Sequence, residues 1–271
     1  MVDSRTAKAL AVLGLVIACA SAVKDSGSAT PYIQLLWETD MAGADDWASF
    51  LTSKGFQVAR YQAHDADKIV QHQPDLIIIA DDTTPVWTDM ADVNAIRDSG
   101  RPVLAIGSGG SHYYDAANAS IGWLMSGVHF GQSRIYVPNP ANPLYTSPNA
   151  IAVPADGIVA VHQSDVRAVT PWIQGLPKNV SVLAKDPAAM DYATICTEAS
   201  RYTMWSFYTA SPALLTEDGR KLFENVVWHC LREAVPEVKS LLLVSIGAAI
   251  MCPIAARRGR PGSTEPKRDS G

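Results

Sequence analysis

A chain of 271 residues, 48% hydrophobic and 18% charged, is long enough for one large domain or two small ones and carries the apolar side chains of a sizeable core. Its formal net charge of -5 is modest and no basic stripe runs through its interior, so the electrostatic footprint of a nucleic-acid binder is missing.

The chain opens with Arg5 and Lys8 ahead of an apolar run from Ala9 to Ala18, and Ala20-Ser21-Ala22 then offers the small residues a signal peptidase accepts. This predicts a signal peptide over residues 1–22. Val16-Ile17-Ala18-Cys19 also resembles a lipobox, the alternative in which Cys19 is lipidated.

From Pro31 short apolar strands alternate with amphipathic helical stretches. Tyr32 to Trp37 reads as a strand, Asp45 to Lys54 as a helix ended by Gly55, and Phe56 to Tyr61 as a second strand. A helix from Asp65 to His72 stops before Pro74, which cannot extend it. Asp75 to Ala80 is a continuous apolar run of the kind that suits a central parallel strand covered on both faces. Trp87 to Arg97 reads as helix, and Arg101 to Ile106 as a strand entering the turn Gly107-Ser108-Gly109-Gly110. Right-handed crossovers make this order a doubly wound, mostly parallel sheet in a flavodoxin-like three-layer α/β sandwich. Gly127 to Pro187, rich in Pro, Asn and Gly, reads as irregular structure with short strands. Ala193 to Thr197 and Arg201 to Tyr208 look like a hairpin, and Thr216 caps a last helix to Arg232 that buries Leu222, Phe223, Val226, Val227 and Leu231. The domain so delimited covers residues 31–232.

Ser240 to Ala256 is uncharged and apolar, at the short end of the length that spans a bilayer. Arg257, Arg258 and Arg260 follow it, and Glu233 and Glu237 precede it. The positive-inside rule therefore predicts a single-pass anchor over residues 240–256, a basic polar tail over 257–271 in the cytoplasm, and the main domain outside. The order Val235-Pro236-Glu237, apolar run, arginines resembles the PEP-CTERM sorting tail of bacterial exported proteins. Between the terminal segments lie only two cysteines, Cys196 and Cys230, at a separation wrong for a zinc knuckle, and the sequence leaves their pairing open.

Ligands of open α/β sheets bind at the carboxyl ends of the strands. Three loops qualify there: Glu38 and Asp40 after the first strand, Asp81, Asp82, Thr83 and Thr84 after the third, and Ser108, Ser111 and His112 after the fourth. The N–H groups around Gly107, Gly109 and Gly110 suit an anion or a carbonyl oxygen. The acids show no ligand spacing like that of known metal sites, and helix N-caps and loop solvation explain Asp45, Asp46, Asp81 and Asp82 just as well. The acidic first turn, Glu38 to Asp46, lacks a phosphate cradle, so no cofactor is named. Trp172, Trp205 and Trp228 are expected in the core, with Trp87 and Trp123 better placed should a glycan bind.

Arg101-Pro-Val-Leu-Ala-Ile-Gly-Ser-Gly-Gly110 resembles the nucleophile loop of class I glutamine amidotransferase-like proteins, and Pro74 to Asp82 resembles their Pro-Asp-Leu-Ile-Ile strand with its acidic turn. Leu215 to Trp228 is similar to the last helix of amidotransferase-like and ThuA-like domains. The resemblance spans roughly Tyr32 to Leu231 and places Gly107 where an active amidotransferase carries its cysteine. Glycine cannot attack an acyl carbon, so glutaminase activity is not expected. The partner histidine of such a triad has His162 as its nearest candidate. The resulting expectation is an exported, membrane-anchored amidotransferase-like domain that binds a small molecule, glycan or protein at the cell surface. The alternative is a hydrolase using Ser108 as nucleophile and His112 as base.

Overall fold

The computed structural model describes residues 30–66 and 72–233. The expected signal, the apolar run over 240–256, the tail after it and most of the helix read from Asp65 to His72 lie outside them. No helix among the described residues is long and apolar enough to cross a membrane.

The chain alternates as expected through β1 (Tyr32–Trp37), α1 (Met41–Ser53), β2 (Gln57–Gln62), β3 (Leu76–Ile79), α2 (Met90–Asp98), β4 (Val103–Ile106) and α3 (Gly107–Ala116). β3 and β4 are buried along their whole length, as their unbroken apolar sequences require of strands covered on both faces. Two helices differ from the sequence reading at their starts. α1 begins at Met41 rather than Asp45 because the Asp40 carboxylate accepts the Gly43 N–H at 2.9 Å and caps it. α2 begins at Met90, capped by Asp89; the stretch from Asp81 to Thr88, with Pro85 inside it, forms tighter 3₁₀ turns instead.

After α3 come β5 (Ser126–Gln132), β6 (Arg134–Tyr136), β7 (Ile158–Ala160), β8 (Val166–Pro171), β9 (Val180–Lys185), β10 (Ala193–Glu198), β11 (Tyr202–Trp205) and α4 (Glu217–Glu233). The main sheet runs β2-β1-β3-β4-β11-β10-β9-β6-β7. Its first five strands are parallel, and from β11 onward every pairing is antiparallel. Thus the region from Gly127 to Pro187 supplies an antiparallel extension of the sheet, and β5 and β8 form a separate two-stranded ribbon. His129 Nδ1 lies 2.6 Å from a carboxylate oxygen of the fully buried Asp186, which ties that ribbon to the loop between β9 and β10.

The sandwich has three layers. On one face α1 and α4 bury Trp47, Leu51, Phe223 and Val226 against β1, β4 and the extension. On the other α2 and α3 bury Val93, Ile96, Tyr113 and Tyr114. Cys196 belongs to the second core and Cys230 to the first, so the sheet separates them, and neither is in a disulfide.

Candidate functional site

The carboxyl ends of β1, β3, β4 and β11 meet at one edge, where the order of connections reverses and crevices form. Asp82 holds the first of these loops: its Oδ2 accepts the N–H groups of Glu38 at 3.0 Å, Thr39 at 2.6 Å and Asp40 at 2.6 Å. Its Oδ1 is buried without a partner. Glu38 turns outward, both its carboxylate oxygens 3.1 Å from His64 Nδ1.

Asp81 does the equivalent for the turn after β4. Its Oδ1 accepts the Ser108 N–H at 2.6 Å, so a carboxylate from the neighbouring strand caps α3, for which Ile106 offers no side-chain cap. Burial pushes the Asp81 carboxyl up to about 6; the Ser108 N–H pulls it down, the Asp82 charge raises it further, and the Gly109 N–H lowers it.

Gly107 has φ +52°, in the left-handed region. A Cβ there would lie 2.2 Å from Asp81 Oδ1 and 3.0 Å from the Phe207 carbonyl oxygen, so the volume a side chain at this turn would occupy already belongs to Asp81. Gly109 and Gly110 are similarly closed in, by the Ala80 carbonyl and Thr83 hydroxyl and by Ala105 respectively. These glycines let α3 pack down onto β3 and β4.

The two residues expected to act together do not meet through their reactive atoms. His112 Nδ1 donates to the backbone carbonyl of Ser108 at 2.9 Å, while the Ser108 hydroxyl accepts from Thr84 at 3.1 Å. Ser111, fully buried, donates to the same carbonyl. The His112 ring packs on Trp123 at 4.5 Å. His162 is buried beside Phe207, its Nε2 2.9 Å from the Thr209 hydroxyl and its Nδ1 without a partner. Burial alone pushes it down to about 4, so it is neutral at physiological pH. Since Thr209 also accepts from Trp205 and donates to the Phe207 carbonyl, the arrangement favours the tautomer with hydrogen on Nε2.

Asp40, Asp81 and Asp82 line one side of a recess at this edge; Ala44, Trp47, Ala80, Thr209 and Ala210 line the rest. Its volume of about 40 Å³ admits a few waters and is far below the ~300 Å³ at which small-molecule pockets begin. Trp47, Thr209 and Ala210 escaped sequence reasoning because α1 and the end of β11 reach this edge only through the fold. The tryptophans sort differently from expectation too. Trp87 is buried with its Nε1 on Thr83, whereas Trp172 is 44% exposed at the end of β8. Among the described residues no group of three or more His, Cys, Asp or Glu side chains could hold a metal ion.

No family model matches this chain and no curated protein matches its sequence. Solved structures match its fold. A ThuA-like protein of Bacteroides uniformis aligns over 78% of this chain and 94% of its own length with a TM-score of 0.53 and 10% identity. PurLQS of Thermotoga maritima aligns over 73% and 98% with a TM-score of 0.50 and 11% identity. A glutamine amidotransferase of Thermotoga maritima aligns over 76% and 99% with a TM-score of 0.44 and 10% identity. The chain has an amidotransferase-like, ThuA-like α/β fold.

Proposed function

We propose that this chain is an exported, membrane-anchored domain of amidotransferase-like fold that binds a ligand or protein and does not hydrolyse glutamine. The observation that carries the reading is the Asp81 carboxylate, which takes the space a nucleophile at Gly107 would need and occupies the Ser108 N–H. Acyl transfer needs a nucleophile, a base and free donors for the developing oxyanion, and it supports this reading that His112 Nδ1 bonds the Ser108 carbonyl rather than its hydroxyl while Asp81 takes the Ser108 N–H. The described domain also starts at β1 and finishes with α4, whose Trp228 packs on Phe56 ahead of β2, at the edge opposite the recess. An anchor over residues 240–256 would therefore present the recess edge away from the bilayer.

Hydrolysis of glutamine and of p-nitrophenyl esters by the full chain, its Ser108→Ala and its His112→Ala variants tests this. The expected result is the same background rate in all three. Turnover that disappears in either variant would establish the hydrolase instead.

A further inference from the structure

The β5–β8 ribbon has one open edge. β8 is paired on both sides, with β5 and with the stretch from Ser206 to Tyr208, whereas β5 has β8 as its sole partner among the described strands. Soluble proteins blunt such edges with charge, proline or shortness. At the ends of the main sheet, β2 carries Arg60 paired with Asp45, and β7 is three residues long. β5 reads SGVHFGQ, with no proline, Asp, Glu, Lys or Arg; its histidine is held by Asp186, and its register irregularity falls after His129, past the Ser126–His129 stretch.

Large apolar side chains crowd this edge. Val128 and Phe130, the latter 66% exposed, project from one face of the strand; Leu124, 85% exposed, and Met125 stand at its start. Trp172 joins them, its N–H on the Met125 carbonyl at 2.9 Å. These five side chains present on the order of 500 Å² per copy, taking roughly 150–250 Å² for a fully exposed large side chain. A standard interface buries about 800 Å² per partner, a difference the strand backbone and flanking polar groups can supply.

We propose that β5 is the contact of a two-fold symmetric homodimer, in which antiparallel β5 strands of two copies pair about Val128. A two-fold axis there sets Val128 against the partner's Val128 and Phe130 against the partner's Ser126. The charges fit this pairing. Arg167 lies over the Phe130 ring at one end of the strand, and Asp115 binds the Leu124 N–H at the other. Antiparallel pairing carries each Arg167 toward the partner's Asp115. Asp165, also near the Phe130 end, is engaged by the Ser133 hydroxyl.

Sedimentation of the full chain in detergent, corrected for bound detergent, tests the dimer. Wild type sediments at twice its 29.1 kDa mass, and Val128→Lys, which sets two ammonium groups against each other at the axis, at the monomer mass with an unchanged circular dichroism spectrum. Phe130→Glu serves in its place should Val128→Lys lose cooperative unfolding. Under mild oxidation Val128→Cys forms a covalent dimer and Ser126→Cys does not, because only position 128 meets itself. A wild-type monomer at ~100 µM, a dimer that survives both charged variants, or equal cross-linking at 126 and 128 would overturn the proposal. The second of these would place the contact elsewhere, the C-terminal segment included.

Discussion

Asp81, partly buried, and His162, buried, both stand at the carboxyl edge of the sheet, one contributed by its parallel half and the other by its antiparallel extension. Their surroundings differ. Asp81 stands at the first turn of α3 with backbone N–H groups aimed at it, so its charge has partners even though burial raises its carboxyl to about 6. His162 is enclosed by Phe207, Trp205 and a threonine hydroxyl, with no carboxylate to share a proton, and is held neutral. In the parallel half the strand-to-helix turns gather N–H groups at one edge and attract acids there. In the extension the helix start that packs there, that of α4, is capped by Thr216, and the buried His162 has a side-chain hydroxyl for its partner instead.

The sharpest way to break this contrast is to put a side chain on the glycine whose open side Asp81 fills. In Gly107→Cys the new Cβ meets Asp81 Oδ1 at 2.2 Å and a non-glycine residue is forced into positive φ. A loss of about 4 kcal/mol in urea unfolding is expected. Adding Asp81→Ala should recover part of it by vacating the space. A loss below ~1 kcal/mol, within the scatter of surface substitutions, would mean that the turn has room for a nucleophile after all.

Next in size is a pH effect in which the two groups oppose each other. The Asp81 carboxyl is raised in the folded state, so the native protein holds that proton more tightly than the unfolded chain. Its contribution is most favourable below about pH 4 and is lost as pH rises toward 6, a change of ~3 kcal/mol at about 1.4 kcal/mol per pH unit. His162 is lowered in the folded state, so its contribution is complete above pH 6.5 and is lost as pH falls to about 4, again by ~3 kcal/mol. The two nearly cancel in the wild type. Relative to it, Asp81→Asn should gain stability as pH rises from 4 to 6.5, and His162→Gln should lose it. Parallel profiles for all three proteins, from denaturation midpoints at four pH values, would sink the assignment.

The same contrast explains what could be read from the sequence. β1 was legible to the residue, and β3 and β4 to within two, because a strand covered on both faces is a mostly apolar run, broken only by Gln34 in β1, that needs no knowledge of its neighbours. The extension was not. β6 and β7 are three residues each, on either side of a stretch rich in proline and asparagine, and their identity as strands rests on pairing with partners distant in the chain. At the site, the sequence placed Gly107 and the acids of the third loop at one edge. It could not show that Asp81 fills the glycine's empty side, since Asp81 and Ser108 are 27 residues apart and only the parallel pairing of β3 with β4 brings them together. His112 beside Ser108 looked like a base and a nucleophile, but on a helix residues four apart meet through the carbonyl of the earlier one as readily as through its side chain.

The smallest effect expected lies where the start of α4 meets the extension. Thr216 accepts the Gly219 N–H at 2.9 Å, capping the helix as its sequence position suggested, and donates to the Ala160 carbonyl of β7 at 2.8 Å. It therefore joins an element that was legible to one that was not. Thr216→Ala removes both bonds and should cost about 1 kcal/mol, near the usual value for a lost cap. Thr216→Ser keeps both and should cost only a few tenths. If Thr216→Ala instead costs ~3 kcal/mol, well beyond a cap, the contact with β7 is holding the edge of the extension in place. The short edge strand β7 would then depend on α4 more than on its own ladder.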